Sequence, residues 1–198
     1  MTAHTTARVI SVNTALAHNL LVGGRRMRSA IGKTARSGTV AVAPLGLEGD
    51  EQVELSLHGG LAQAVYAYPQ EHYAYWQQRR AALGLDLFEQ DLPHGTMGEN
   101  LTIAGLLEHQ VFVGDTLVGP NVVLRVTRPR QPCSKFNAVI GYAQAAKDMV
   151  THASCGFYLA VEQAGSISAG EVLVLRAGTQ EVSIAGQART LWARYAQD

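Results

Sequence analysis

A mainly β fold, a barrel or sandwich of mostly antiparallel strands with a few peripheral helices, is what this 198-residue sequence predicts. Eight short runs with strand character recur along the chain, each bounded by Gly, Pro, Asn or Asp. Twenty glycines break the chain into short pieces, and helical patterning is confined to a few segments.

The first strand is read at residues 8–13 (RVISVN) and the second at 39–43 (TVAVA). The third, at 53–57, alternates Gln52, Glu54 and Ser56 with Val53, Leu55 and Leu57, the period of a strand with one wet face. A fourth lies at 64–68 (AVYAY) and runs into a helix over 69–83, which has Pro69 at its start, Glu71 early, Arg79 and Arg80 late and Gly84 as its stop. A long polar loop, FEQDLPHGTMGEN, leads to a strand at 100–103. Strands follow at 122–127, 157–162 and 171–175, with a helix at 142–150 and a short one around 188–196. No repeat or low-complexity tract interrupts this order.

The chain has the length of one sizeable domain, 1–198. With 47% hydrophobic and 16% charged residues it reads as compact, and sixteen cations against sixteen acids give no overall bias toward duplex DNA or a membrane surface. The N-terminus does not read as a secretory signal, and no apolar run approaches the ~18 residues of a bilayer span. Cys133 and Cys155 form no CxxC pair, so the expectation is a cytoplasmic protein with free thiols, no nucleic-acid partner and no membrane.

The sequence contains no P-loop, strand-linked GxGxxG, HExxH or GxSxG. What remains are polar clusters at strand ends: GLEGD (46–50), HGG (58–60), GEN (98–100), GD (114–115) and RPRQPC (128–133). Asp50 and Asp115 read as turn residues and Gly59-Gly60 as a turn, while His58 is as much a structural histidine as a ligand or acid–base group. Cys133 stands out. Arg128, Arg130 and Lys135 surround it with positive charge that favours a thiolate, and Pro129 and Pro132 stiffen its loop. Such a thiolate serves as nucleophile or soft-metal ligand, and the same arginines suit a phosphate. Cys155, without cationic neighbours and just ahead of a strand, reads as buried.

In their order, GLEGDEQVELSLHGGLAQAVYAYPQEHYAYW, GENLTIAGLLEHQVFVGDTL, VTRPRQPCSKFN and GFYLAVEQAGSISAGEVLVL resemble the MOSC family, named after the C-terminal domain of molybdenum-cofactor sulfurase, in its stand-alone bacterial YiiM-like branch. The resemblance spans about 31–175 and leaves a short extension at 176–198. It implies a β-barrel of mostly antiparallel strands that binds the molybdenum cofactor, with Cys133 as metal ligand and Lys33, His58, Asn100, Arg128 and Arg130 contacting pterin and phosphate. It further implies a detoxifying reduction of N-hydroxylated substrates, such as nucleobases, to amines, with His58 or a water as proton source. Where relatives have a proline two residues after the lysine, this chain reads KTA at 33–35. Two cysteines cannot hold a four-cysteine iron–sulfur cluster and no dinucleotide fingerprint is present, so the electrons are expected from a separate flavoprotein or ferredoxin-type reductase. Pyridoxal phosphate, associated with the family through the sulfurase's other domain, has no corresponding domain here. Two alternatives stay open: a carrier of cofactor or of sulfur on Cys133, and a metal-free thiol enzyme pairing Cys133 with His58.

Overall fold

The computed structural model describes residues 5–53, 59–85 and 91–193. The strands are β1 (Thr6–Thr14), β2 (His18–Val22), β3 (Arg25–Ser29), β4 (Thr34–Ala35), β5 (Val40–Ala43), β6 (Gly46–Leu47), β7 (Val65–Pro69), β8 (Leu101–Ala104), β9 (Thr116–Val118), β10 (Val123–Pro129), β11 (Phe157–Gln163), β12 (Gly165–Ile167) and β13 (Val172–Arg176). The helices are α1 (Tyr73–Ala82), α2 (Ser134–Ile140), α3 (Ala145–Thr151) and α4 (Ile184–Leu191).

Seven strands close into a barrel in the order β13-β9-β10-β11-β7-β8-β1, with β1 pairing back onto β13. Closure leaves these strands without open edges for another chain to pair with. Every barrel pairing is antiparallel except β7–β8. That exception follows from the chain between them: parallel neighbours need a crossover of a dozen residues or more, and α1 with its flanking loop supplies it. A three-stranded sheet β12-β5-β6 and a two-stranded ribbon β2-β3 complete the β structure.

β7 is buried along its whole length because it has a core on each face. Val65 and Ala67 point into the barrel with Val9, Leu101, Leu124 and Phe157, while Tyr66 and Tyr68 face outward into an aromatic second core with Trp76, Phe136 and Met149 from the helices. The alternation of small aliphatic and aromatic residues in AVYAY therefore sorts side chains between two cores.

The expected mainly β barrel with few helices is the observed fold, and several elements differ in detail. The ribbon β2-β3 was not expected, since its second strand is mostly arginine; its two-residue turn, Gly23-Gly24, has φ of 54° and 79°, the left-handed conformation that a tight hairpin demands. The 69–83 helix is a 3-10 turn at Gln70–His72 followed by α1. α2 begins directly after Cys133, where the two prolines argued for a loop. The last helix starts earlier than 188, because Ser183 caps it by accepting from Gly186 N at 3.1 Å. The strand expected at 53–57 lies, apart from Val53, outside the described residues, as do residues 194–196 of the last expected helix. No helix among the described residues is long and apolar enough to cross a membrane.

Candidate functional site

An open cleft of about 100 Å³ lies beside the barrel, where the segments leading out of β3, β6 and β10 and into β8 come together. Lys33, Asp50, Asn100, Arg130, Cys133 and Lys135 line it, with Tyr66 and Tyr158 of the adjoining β7 and β11. Four of the residues expected from sequence, Lys33, Asn100, Arg130 and Cys133, thus share one cleft although they are up to a hundred residues apart.

Cys133 occupies the N-cap of α2 in an extended conformation, φ −141° and ψ 174°. Its carbonyl accepts from Phe136 N at 2.9 Å, which starts the helix and fixes the half-exposed side chain at the cleft wall. Cys155 is its opposite: wholly buried in the aromatic core, its thiol is pushed up out of the physiological range by desolvation.

Arg130 is 5% exposed and sits between two rings, its guanidinium carbon 5.5 Å from the Tyr66 centroid and 5.2 Å from that of Phe136. Its Nη1 lies 3.8 Å from Met149 Sδ, and among the described residues no carboxylate pairs with it. Burial works to lower its pKa, yet the anionic forms of Tyr66, Cys133 and Tyr158 outweigh burial and hold it above the ordinary value. A desolvated guanidinium with no acid beside it favours negative charge in the adjoining space.

Lys33 and Asp50 form a buried ion pair, their side chains 7% and 6% exposed. Burial lowers the Lys33 pKa, with Asp50 opposing. Asp50 Oδ1 also accepts from Ala15 N at 2.9 Å, and its Oδ2 accepts from Asn100 Nδ2 at 2.9 Å. Asn100 Nδ2 further donates to Asn13 O at 3.3 Å, and its Oδ1 accepts from Tyr66 N at 3.0 Å. Both amide hydrogens of Asn100 are therefore committed within the protein, and it acts by positioning Asp50. Gly95 permits the close approach of this loop: its φ is 89°, and a Cβ there would lie 2.4 Å from the Lys33 carbonyl oxygen.

Arg128, half-buried on β10 across from Tyr158, is not among the residues lining the cleft, because it stands on the strand whereas Arg130 follows the strand's end. His58 lies outside the described residues. Asp50, read from sequence as a turn residue, is instead half of the buried pair at the site; its place at the end of GLEGD, beside other strand-end clusters, was the available signal. Tyr66 and Tyr158 were read only as strand residues, since nothing local marks an aromatic that will flank a cleft. Asp115 accepts from Phe112 N at 2.8 Å and Gly178 N at 2.7 Å, which ties two loops together away from the cleft.

Among the described residues, no three His, Cys, Asp or Glu side chains converge into a metal site. Of the residues lining the cleft, Cys133 offers the thiolate that could ligate a soft metal. A soft thiolate, a buried guanidinium without a carboxylate and a lysine–aspartate pair fit an anionic, sulfur-ligated metal cofactor.

The MOSC domain family model matches residues 54–174. Protein YiiM of Escherichia coli is 35% identical over 164 residues, 83% of this chain and 71% of that protein, and the uncharacterized protein YflK of Bacillus subtilis is 32% identical over 177 residues, 89% and 76%. A Gibberella moniliformis protein named "Reductase" is 32% identical over 153 residues, 77% of this chain but only 26% of its own length. Among solved structures, YiiM of Geobacillus stearothermophilus superposes with a TM-score of 0.74 at 28% identity over 95% of this chain and 85% of that one. YiiM of E. coli superposes with a TM-score of 0.69 at 31% identity over 82% and 74%. With a seven-stranded barrel, a cleft cysteine at a helix start and relatives of this extent, the chain belongs to the MOSC domain family, in its YiiM-like branch.

Proposed function

We propose that this protein is a molybdenum-cofactor-dependent oxidoreductase that reduces N-hydroxylated compounds, nucleobases among them, to the corresponding amines. The observation that carries the reading is the cleft itself, which sets Cys133 beside a buried Arg130 that has no carboxylate partner among the described residues. Membership of the MOSC family and a relative named as a reductase support it.

Cys133 is the residue to ligate molybdenum, and Arg130 supplies positive charge for the thiolate and for an anionic part of the cofactor. When bound, the cofactor supplies two-electron reduction and a site for the oxygen removed from substrate. Overall, an N–OH group takes up two electrons and two protons, its N–O bond breaks, an N–H bond forms and the oxygen leaves as water. Lys33 Nζ, with its pKa lowered by burial, holds a proton at the cleft wall that it gives up more readily than an exposed lysine does. Asp50 fixes that ammonium in place, and Asn100 fixes Asp50.

The test is to load wild-type and Cys133→Ser protein with molybdenum cofactor, measure molybdenum and pterin per chain, and then assay an N-hydroxylated purine with reduced methyl viologen. Wild type is expected to hold close to one of each and to turn over, while Cys133→Ser keeps pterin and loses metal. Cofactor held without turnover points to a carrier. Turnover that survives without molybdenum points to thiol chemistry.

A further inference from the structure

We propose that the β2-β3 ribbon is the docking surface for an acidic electron-donor protein, an inference that rests on the reductase reading. The zero net charge conceals a strong asymmetry: residues 1–47 carry Arg8, Arg25, Arg26, Arg28, Lys33 and Arg36 and no Asp or Glu, so the rest of the chain carries ten cations against all sixteen acids. Half of those six cations sit on one strand, β3.

The ribbon stands on the rim of the cleft. At its base Ala17 N donates to Glu51 Oε2 at 2.7 Å, Arg28 Nη2 lies 3.9 Å from the same oxygen, and both Glu51 and Ser29 line the cleft. The register sets Leu20 against Met27, half-buried, on the inward face, where Leu20 packs on the aromatic core. The opposite face carries the pairs Asn19–Arg28 and Leu21–Arg26, with Leu21 64% exposed. An exposed leucine flanked by arginines has the make-up of a transient interface, an apolar anchor inside a charged rim.

On the reductase reading the electrons come from a donor protein, and the two cysteines of this sequence are too few for a four-cysteine cluster. An acidic donor is repelled by the net-negative remainder of the chain and drawn to the one cation-rich ribbon, which stands at the mouth of the redox site. A single-stranded nucleic acid is the weaker match, since β2 and β3 carry no Phe, Tyr or Trp on which bases could stack.

The experiment adds an acidic flavodoxin and, separately, an acidic two-iron ferredoxin to the 15N-labelled full chain at low and high salt, and follows amide shifts and Kd. At least one donor is expected to bind at low salt with shifts concentrated on residues 16–31 and to release at high salt. Arg26→Glu with Arg28→Glu is expected to weaken binding about tenfold or more, and Leu21→Ser less. With the cofactor-loaded protein, the double variant should match wild type when methyl viologen supplies the electrons and fall behind it when the protein donor does. Binding of neither donor, shifts centred elsewhere, indifference to the charge reversal, or tighter ribbon binding by an oligothymidylate overturns the proposal. Failure of wild type with methyl viologen counts against the reductase reading alone, since the binding data decide the ribbon separately.

Discussion

Glu99 and Lys33 are both buried in charged form only at a cost, and the two costs have opposite pH signatures. Glu99 Oε1 accepts from Gly95 N at 2.8 Å, from Thr102 Oγ1 at 2.7 Å and from Tyr73 Oη, whereas Oε2 is buried with no partner among the described residues. Burial raises its pKa above the usual 4.5, with those hydrogen bonds opposing. Native protein then binds more protons than unfolded chain, so stability falls as pH rises from about 4.5 to the raised value. Glu99→Gln removes this dependence, and urea unfolding across pH should show the variant gaining on wild type as pH rises through that window. Lys33 is the reverse case, since a lowered lysine pKa makes stability rise with pH from the lowered value toward 10.5. GEN suggested polar residues at a strand end; that one of them would be an almost fully enclosed carboxyl depends on Tyr73 and Thr102, which sequence alone does not bring together.

Among elements, those with a local signature were legible and those set by tertiary contact were not. RVISVN, AVYAY, VVLRVT and FYLAVE coincide with strands because β-branched and aromatic side chains suit a pleated, half-buried surface. β3 escaped because three of its five residues are arginine, although Gly23-Gly24 between two short runs was a hairpin signal. α2 escaped because it is seven residues long, too short to show a period, and is held by packing Phe136 and Ile140 into the aromatic core. α4 offers a direct check: Ser183→Ala removes the one side-chain acceptor at its N-terminus and should cost about 1 kcal/mol by denaturant unfolding.

At the scale of the molecule, the barrel and the ribbon should differ in local stability. The barrel strands pair on both sides and enclose a continuous core, whereas among the described residues β2 and β3 pair only with each other and expose Leu21, Arg25, Arg26 and Arg28. Native-state hydrogen exchange should therefore give β7, β10 and β11 amides the slowest rates, near global unfolding, and β2-β3 amides rates faster by orders of magnitude. Equal protection in ribbon and barrel would show that the two open as one unit.

The sequence by itself determined the β class, the position of several barrel strands along the chain, the family and the prominence of Cys133, because strand composition, turn glycines and clustered cations are local properties of the chain. Only the tertiary structure decided that Lys33, Asp50, Asn100, Arg130 and Cys133 share one cleft while Arg128 does not line it, and that Asp50 is half of an ion pair. Barrel closure brings together segment ends that are far apart in the chain, and burial then sets which charges need a partner.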